Sequence, residues 1–190
     1  MTTQDDSVHA RAAVQPIPQH YGSLTTYVCV RGAAQFLDFL KAAFGAVERG
    51  RVQIADGSIG HAEVWIGNRV LNMFDAKATW PDMPSLLSLY VDDCDAVFEQ
   101  ALSAGATTIT ELSTNAWGDR MGRLRDPFGN IWWITTHVED VSQEQVFQRM
   151  QQPHYLEQMR YAQETIDREL SSRRETARQS TTKPTASGEE

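Results

Sequence analysis

His61 and Glu63 stand two residues apart in Gly60-His-Ala-Glu-Val-Trp-Ile-Gly67. The alternation predicts a strand, so both side chains point to the same face, and Trp65 extends the row. An imidazole beside a carboxylate suits a general base and the group that orients it or holds a cation. Sixty-two residues further on, the equivalent row is Arg123, Arg125 and Pro127. One stretch therefore offers imidazole and carboxylate, the other two guanidinium groups. If the two faces line a common cleft, they hold a polar ligand, with Arg120, Arg123 or Arg125 stabilising an enolate or oxyanion. The alternative is that Glu63 pairs with Arg125 or Arg123 as a structural bridge.

Aromatic side chains are the second resource. Trp65, Trp80, Trp117, Trp132 and Trp133 are many for this length. Trp132 and Trp133 are neighbours on a predicted strand, so they face opposite ways, one toward helices and one toward a cleft. Trp117 precedes Gly118-Asp119-Arg120 in a predicted loop at the cleft mouth, where it acts as a lid or as a plain anchor. His61 and Glu63 alone are a poor metal site, and His9, His20, His137 and His154 do not complete it. No metal centre and no cofactor is expected. Cys29 and Cys94 carry no motif, no serine, histidine and aspartate order can be argued, and the glycines do not form a phosphate loop.

The elements that must position these residues come in two copies. Residues 33–44 place Phe36, Leu37, Leu40, Ala43 and Phe44 on one helical face, followed by Gly45 as a cap. Residues 94–104 repeat this with Val97, Phe98, Ala101 and Leu102, capped by Asp93 and ended by Gly105. A strand precedes each helix and three follow, with turns at Asp56-Gly57, Gly67-Asn68 and Asp126-Pro-Phe-Gly-Asn130. Each copy reads βαβββ. The prediction is an α+β fold in which two such modules pair into a curved mixed sheet with a cleft between them. Residues 1–22 read as a loose arm, 23–140 as the paired domain and 141–177 as amphipathic helices, and residues from 178 as a disordered tail. Ser142 with Gln145 forms a capping box. Leu156, Met159, Ala162, Ile166 and Leu170 make a stripe suited to lying across the domain or against a dimer mate.

Composition narrows the partners. Residues 1–140 hold ten basic and seventeen acidic residues, and residues 141–190 hold seven and eight, giving the net charge of −8. An acidic body argues against nucleic acid and anionic membranes. The opening residues lack a basic and an apolar signal region, and no apolar run approaches the ~20 residues that span a bilayer. A cytoplasmic location is expected.

The modules and five stretches in order resemble the vicinal oxygen chelate superfamily, which includes glyoxalase I, extradiol dioxygenases and bleomycin-resistance proteins. The stretches are Phe39–Gly45, Gly60–Gly67, Leu89–Asp93, Gly118–Arg120, and Leu124–Gly129 followed by Thr136–Asp140. They look closest to its PhnB-like, glyoxalase-like branch. In metal-using members, two side chains from each copy hold a divalent ion. Carried over by position, those places are Thr25, Leu71 or Asn72, Leu86 and Trp133. None is an imidazole, carboxylate or thiolate. The resemblance thus implies a pocket without the metal centre, and an indole at Trp133 suited to stacking. Two functions follow. One is a protein that sequesters or carries a hydrophobic or aromatic small molecule through Thr25, Trp65, Asn72, Leu86, Trp117, Arg120, Arg123, Arg125 and Trp133. The other is a metal-independent isomerase, cyclase or lyase with His61 as base and Glu63 beside it. The resemblance also implies a homodimer.

Overall fold

The apolar face of residues 33–44 forms helix α1 (Ala33–Phe44), closed by Gly45 in the left-handed conformation, whose N–H bonds to the Lys41 carbonyl. The computed structural model describes residues 14–18 and 20–181. Before α1 runs β1 (Thr26–Val30), and after it come β2 (Val47–Gln53), β3 (Ile59–Ile66) and β4 (Arg69–Asp75). The second module repeats the order with β5 (Leu86–Tyr90), α2 (Cys94–Ser103), β6 (Thr107–Thr114), β7 (Asp119–Arg125) and β8 (Ile131–His137). The Asp93 side chain caps α2 by accepting from the Ala96 N–H.

In each module the first strand lies parallel to the last, giving the orders β1-β4-β3-β2 and β5-β8-β7-β6. Register sorts the side chains. Val28, Ala62, Val64, Leu71 and Met73 are buried toward α1. Tyr27, His61, Glu63, Trp65 and Asn72 share the opposite face. In the second module Leu124, Trp132 and Ile134 are buried toward α2, and Arg123, Arg125 and Trp133 lie on the far face.

The α+β class and the two βαβββ modules are as expected. Ladder pairing nevertheless stops inside each module, so among the described residues the strands form two four-stranded sheets and not one. The modules are joined by their helices. Helix α1 packs on α2, and its Phe36 and Phe39 rings meet Phe128, with centroids 5.2 and 6.4 Å apart. Phe44 meets Trp132 at 4.6 Å. One buried cluster contains Phe36, Leu40, Phe98, Leu124 and Trp132 together. Each such side chain contributes roughly 1.5–3 kcal/mol by burial.

The turn between β7 and β8 is held from inside. The Asp126 carboxylate, on a residue 2% exposed, accepts from the N–H groups of Phe128 and Asn130, from Asn130 Nδ2 and from Trp132 Nε1, each at 2.9 Å. Asn130 Oδ1 in turn accepts from the Ser85 N–H at the entry to β5.

Beyond the modules, Ser142 and Gln145 form the expected capping box at the start of α3 (Gln143–Arg149). Helix α4 (Pro153–Thr181) begins at its proline, as an N-terminal turn allows. It continues past Arg178, where the disordered tail was expected to start; residues 182–190 and most of the arm, 1–13 and 19, lie outside the described residues. Helix α4 lies across β6. Thr165 shares a 2.7 Å hydrogen bond with Thr110, and Arg123 donates to the Ala162 carbonyl at 2.6 Å. Of the expected stripe, Leu156 and Leu170 stay exposed. Polar bonds through Thr165, Ala162 and Glu169 set the docked face.

Candidate functional site

Strand alternation brings His61 and Glu63 together as predicted. His61 Nε2 lies 3.1 Å from Glu63 Oε1. A carboxylate only accepts, so Nε2 carries the proton and Nδ1 is the basic nitrogen of the neutral ring. The arm supplies a third member: the Tyr21 hydroxyl donates to the same Oε1 at 2.6 Å. Bonds from Tyr21 and then His61 hold the Glu63 carboxyl below its usual range. The same Tyr21 bond pushes the phenol up to about 12. Trp65 lies against the Arg49 guanidinium, 4.0 Å from the ring centroid, and against the His20 ring at 4.1 Å. Asn72 is 2% exposed, and its Oδ1 has no partner among the described residues.

The arginines go elsewhere. Arg120 pairs with Asp95 of α2 on the helix side of its sheet. Arg125 pairs with Glu169 of α4 at 3.3 Å. Arg123 donates to Thr110 Oγ1 and to the Ala162 carbonyl, and its guanidinium stands 4.9 Å from the Trp133 ring centroid. Among the described residues, neither Arg123 nor Arg125 bonds to Glu63, so the bridge considered from sequence is not formed. The reason is architectural: the modules meet through their helices, and α4 occupies the arginine face.

Two hollows result. The larger, about 540 Å³, lies at the junction of the modules. Thr25, Leu24, Leu71, Leu87, Tyr90 and Trp132 are among its lining. Of the places carried over by resemblance, Thr25 and Leu71 line it and Asn72 and Trp133 do not; Leu86 is exposed at the start of β5 and outside it. The tryptophan at this groove is Trp132, the core-facing one, because the Trp133 indole underlies Arg123. The smaller hollow, about 70 Å³, sits between β6, β7 and α4, and Trp117 and Arg123 line it with Asn115, Met121, Gln158 and Met159. Tyr21, His20, Asn115 and Gln158 were not picked out from sequence. Asn115 had a signal: its Oδ1 accepts from the Trp117 and Asp119 N–H groups, the turn habit of asparagine before a glycine. Nothing in the sequence says which strand Gln158 meets.

The loop behind Trp117 is clasped by His137. Its Nδ1 lies 2.7 Å from Asp119 Oδ1 and its Nε2 3.0 Å from Asp140 Oδ1. Hydrogen bonds to Asp119 and then Asp140 raise the imidazole pKa above its ordinary 6.5. Stabilisation from this clasp is complete below the unfolded value and disappears as pH rises through the higher folded value. A pH series of melting curves tests this. The wild-type advantage over His137→Gln should be present at about pH 6 and vanish by about pH 9; an advantage independent of pH would refute it.

Comparison with known proteins fits this geometry. Residues 18–134 match the model of the glyoxalase/bleomycin resistance protein/dioxygenase superfamily. The chain belongs to that superfamily. An uncharacterized protein of Mycobacterium bovis is 37% identical over 135 residues, covering 65% of this chain and 89% of that one. One of Mycobacterium tuberculosis is 37% identical over the same length, covering 79% of its own chain. Among solved structures, TioX from Micromonospora sp. ML1 aligns with a TM-score of 0.53 at 24% identity, covering 60% of this chain and 98% of its own. Protein PA1353 from Pseudomonas aeruginosa aligns at 0.52 and 20% identity, covering 61% and 98%. These two likenesses speak to the fold alone. Helices α3 and α4 lie beyond the matched residues.

The superfamily includes metal-using members, so the donor set matters. Thr25, Asn72, Leu86 and Trp133 supply no imidazole, carboxylate or thiolate, and no three His, Cys, Asp or Glu side chains among the described residues gather as a divalent ion requires. The residues do not fit the superfamily's metal centre, and no chemistry is derived through it. Among the described residues, no helix is long and apolar enough to cross a membrane.

Proposed function

We propose that this superfamily member sequesters or carries a hydrophobic or aromatic small molecule in the groove at the module junction. The observation that carries the reading is the groove itself. Its volume of about 540 Å³ falls in the range of small-molecule pockets, and its walls combine apolar Leu71, Leu87, Leu89 and Trp132 with polar groups that include Thr25, Asn68, Arg69 and Ser88. Such a lining holds an apolar body by burial and orients it by one or two hydrogen bonds. The alternative enzyme, with His61 as base, has its imidazole and carboxylate in place. The arginines expected to serve it, Arg120, Arg123 and Arg125, are each engaged away from His61, the guanidinium beside this row is Arg49 stacked on Trp65, and neither His61 nor Glu63 lines the groove. Binding is therefore the better-supported reading. Assignment to the PhnB-like branch and assembly as a homodimer belong to the same proposal; the exposed Tyr27, Leu86 and Tyr90 support the second.

The test blocks the groove without touching the core. Thr25 lies just before β1 and is only partly buried. Thr25→Trp should fill the entrance and weaken binding of N-phenyl-1-naphthylamine, a neutral aromatic probe, about tenfold or more, with melting temperature unchanged. Unaltered probe affinity in a folded Thr25→Trp protein, or no probe binding by the wild type, would refute the assignment. Native mass spectrometry of the purified protein identifies a copurified ligand directly.

A further inference from the structure

The small hollow under α4 shares no lining residue with the junction groove. It holds a concentration of unmet hydrogen-bonding capacity. Arg123 Nε, Asn115 Nδ2 and Gln158 Oε1 are all buried without a partner among the described residues, and all three residues line this one space. Unmet buried donors are costly, so they point to an absent acceptor. Asn115 is 8% exposed. Its orientation is settled by its neighbours: the Trp117 and Asp119 N–H groups both need its oxygen, which leaves Nδ2 as a donor. Gln158 is not pinned in this way and can present either end of its amide.

Charge adds to the case. Among the described residues Arg123 bonds only to neutral partners, the Thr110 hydroxyl and the Ala162 carbonyl, above the Trp133 ring. Among the described residues no carboxylate pairs with it. Burial alone pulls its pKa down. A half-buried guanidinium without a counter-ion favours an anion. The rest of the lining is apolar, with Trp117, Met121, Met159 and Ala162. Size limits the guest, since about 70 Å³ is roughly half of the ~150 Å³ cavity that admits benzene.

We propose that this space is a binding site for a short-chain monocarboxylate. Its oxygens accept from Arg123 Nε and Asn115 Nδ2, and its alkyl end packs between Met121 and Met159 beneath α4. The site goes beyond the junction groove and does not depend on it. Helix α4 supplies one wall, and this helix lies beyond residues 18–134 that match the superfamily model.

The experiment uses the full chain and sodium acetate, which is smaller than benzene as the volume demands, with acetamide as the neutral isostere. Arginine Nε–H signals are followed by NMR. One signal should move with acetate and saturate at about millimolar concentration, and it should be nearly unmoved by acetamide. Two variants probe the site. Ala162→Leu fills the space and should abolish the response. Asn115→Asp keeps the oxygen that the loop needs but puts a negative charge where the carboxylate sits, so affinity should fall at least tenfold. The second variant decides the matter if the first disturbs α4. A silent titration, meaning ordered water only, would overturn the site. So would equal responses to acetate and acetamide, or unchanged affinity in Asn115→Asp. Binding of N-phenyl-1-naphthylamine to the junction groove is read separately, so failure of either assignment leaves the other standing.

Discussion

Asp126→Ala should cost about 4 kcal/mol and lower the melting temperature by about 10 °C. The side chain accepts four hydrogen bonds in a place where water does not reach. Removing it orphans two backbone N–H groups, the Asn130 amide and the Trp132 indole together, each at a cost of roughly 1–3 kcal/mol before relaxation. The native site is itself a compromise: burial pushes the Asp126 carboxyl up, while the Trp132 and Asn130 bonds pull it down. Asp126→Asn keeps the shape but places an NH2 against existing donors, so it should recover only part of the loss. Denaturant unfolding of both variants checks this, and a loss below about 1 kcal/mol in Asp126→Ala would show that the turn is held by something else.

Gly118→Ala should be the second severe substitution, at about 3 kcal/mol. Gly118 has φ +91°, a region that L side chains rarely adopt, and a Cβ there would overlap the Glu139 carbonyl oxygen. The close approach is built in, because the Gly118 carbonyl accepts from the N–H groups of both Val138 and Glu139. Trimming the neighbouring side chain with Val141→Ala should not rescue the variant, since the obstacle is backbone. Rescue to wild-type melting temperature by that second change would refute the explanation. The substitution should also loosen the loop that aims Asn115, so the acetate response should weaken with it.

Much of the fold was legible because local signals and global packing agree. Asp93 caps α2, Ser142 and Gln145 close their box, and period-two alternation placed His61, Glu63 and Trp65 on one face. The way the modules meet was harder to read. The face assigned to residues 33–44 left out Phe39, which is 5% exposed and packs on Phe44 and Phe128. The apolar arc of α1 is wider than one sheet can cover, and that excess is what α2 and the second module bury. Helix α4 was legible as a helix but not as a roof over β6, because its docking runs through Thr165, a backbone carbonyl and Glu169 and not through its greasiest stripe. The fate of Arg123 and Arg125 followed from that roof, while Arg120 lies on the other face and pairs with Asp95 of α2, so their separation from His61 had no local signature.

The rings of Phe44 and Trp132 belong to different copies of the repeat, as do those of Phe36 and Phe128. A polypeptide severed in the linker between the copies would therefore bare the hydrophobic side of both pieces at once. Neither half should fold by itself, and mixing the two fragments should restore one cooperative transition where each alone shows none.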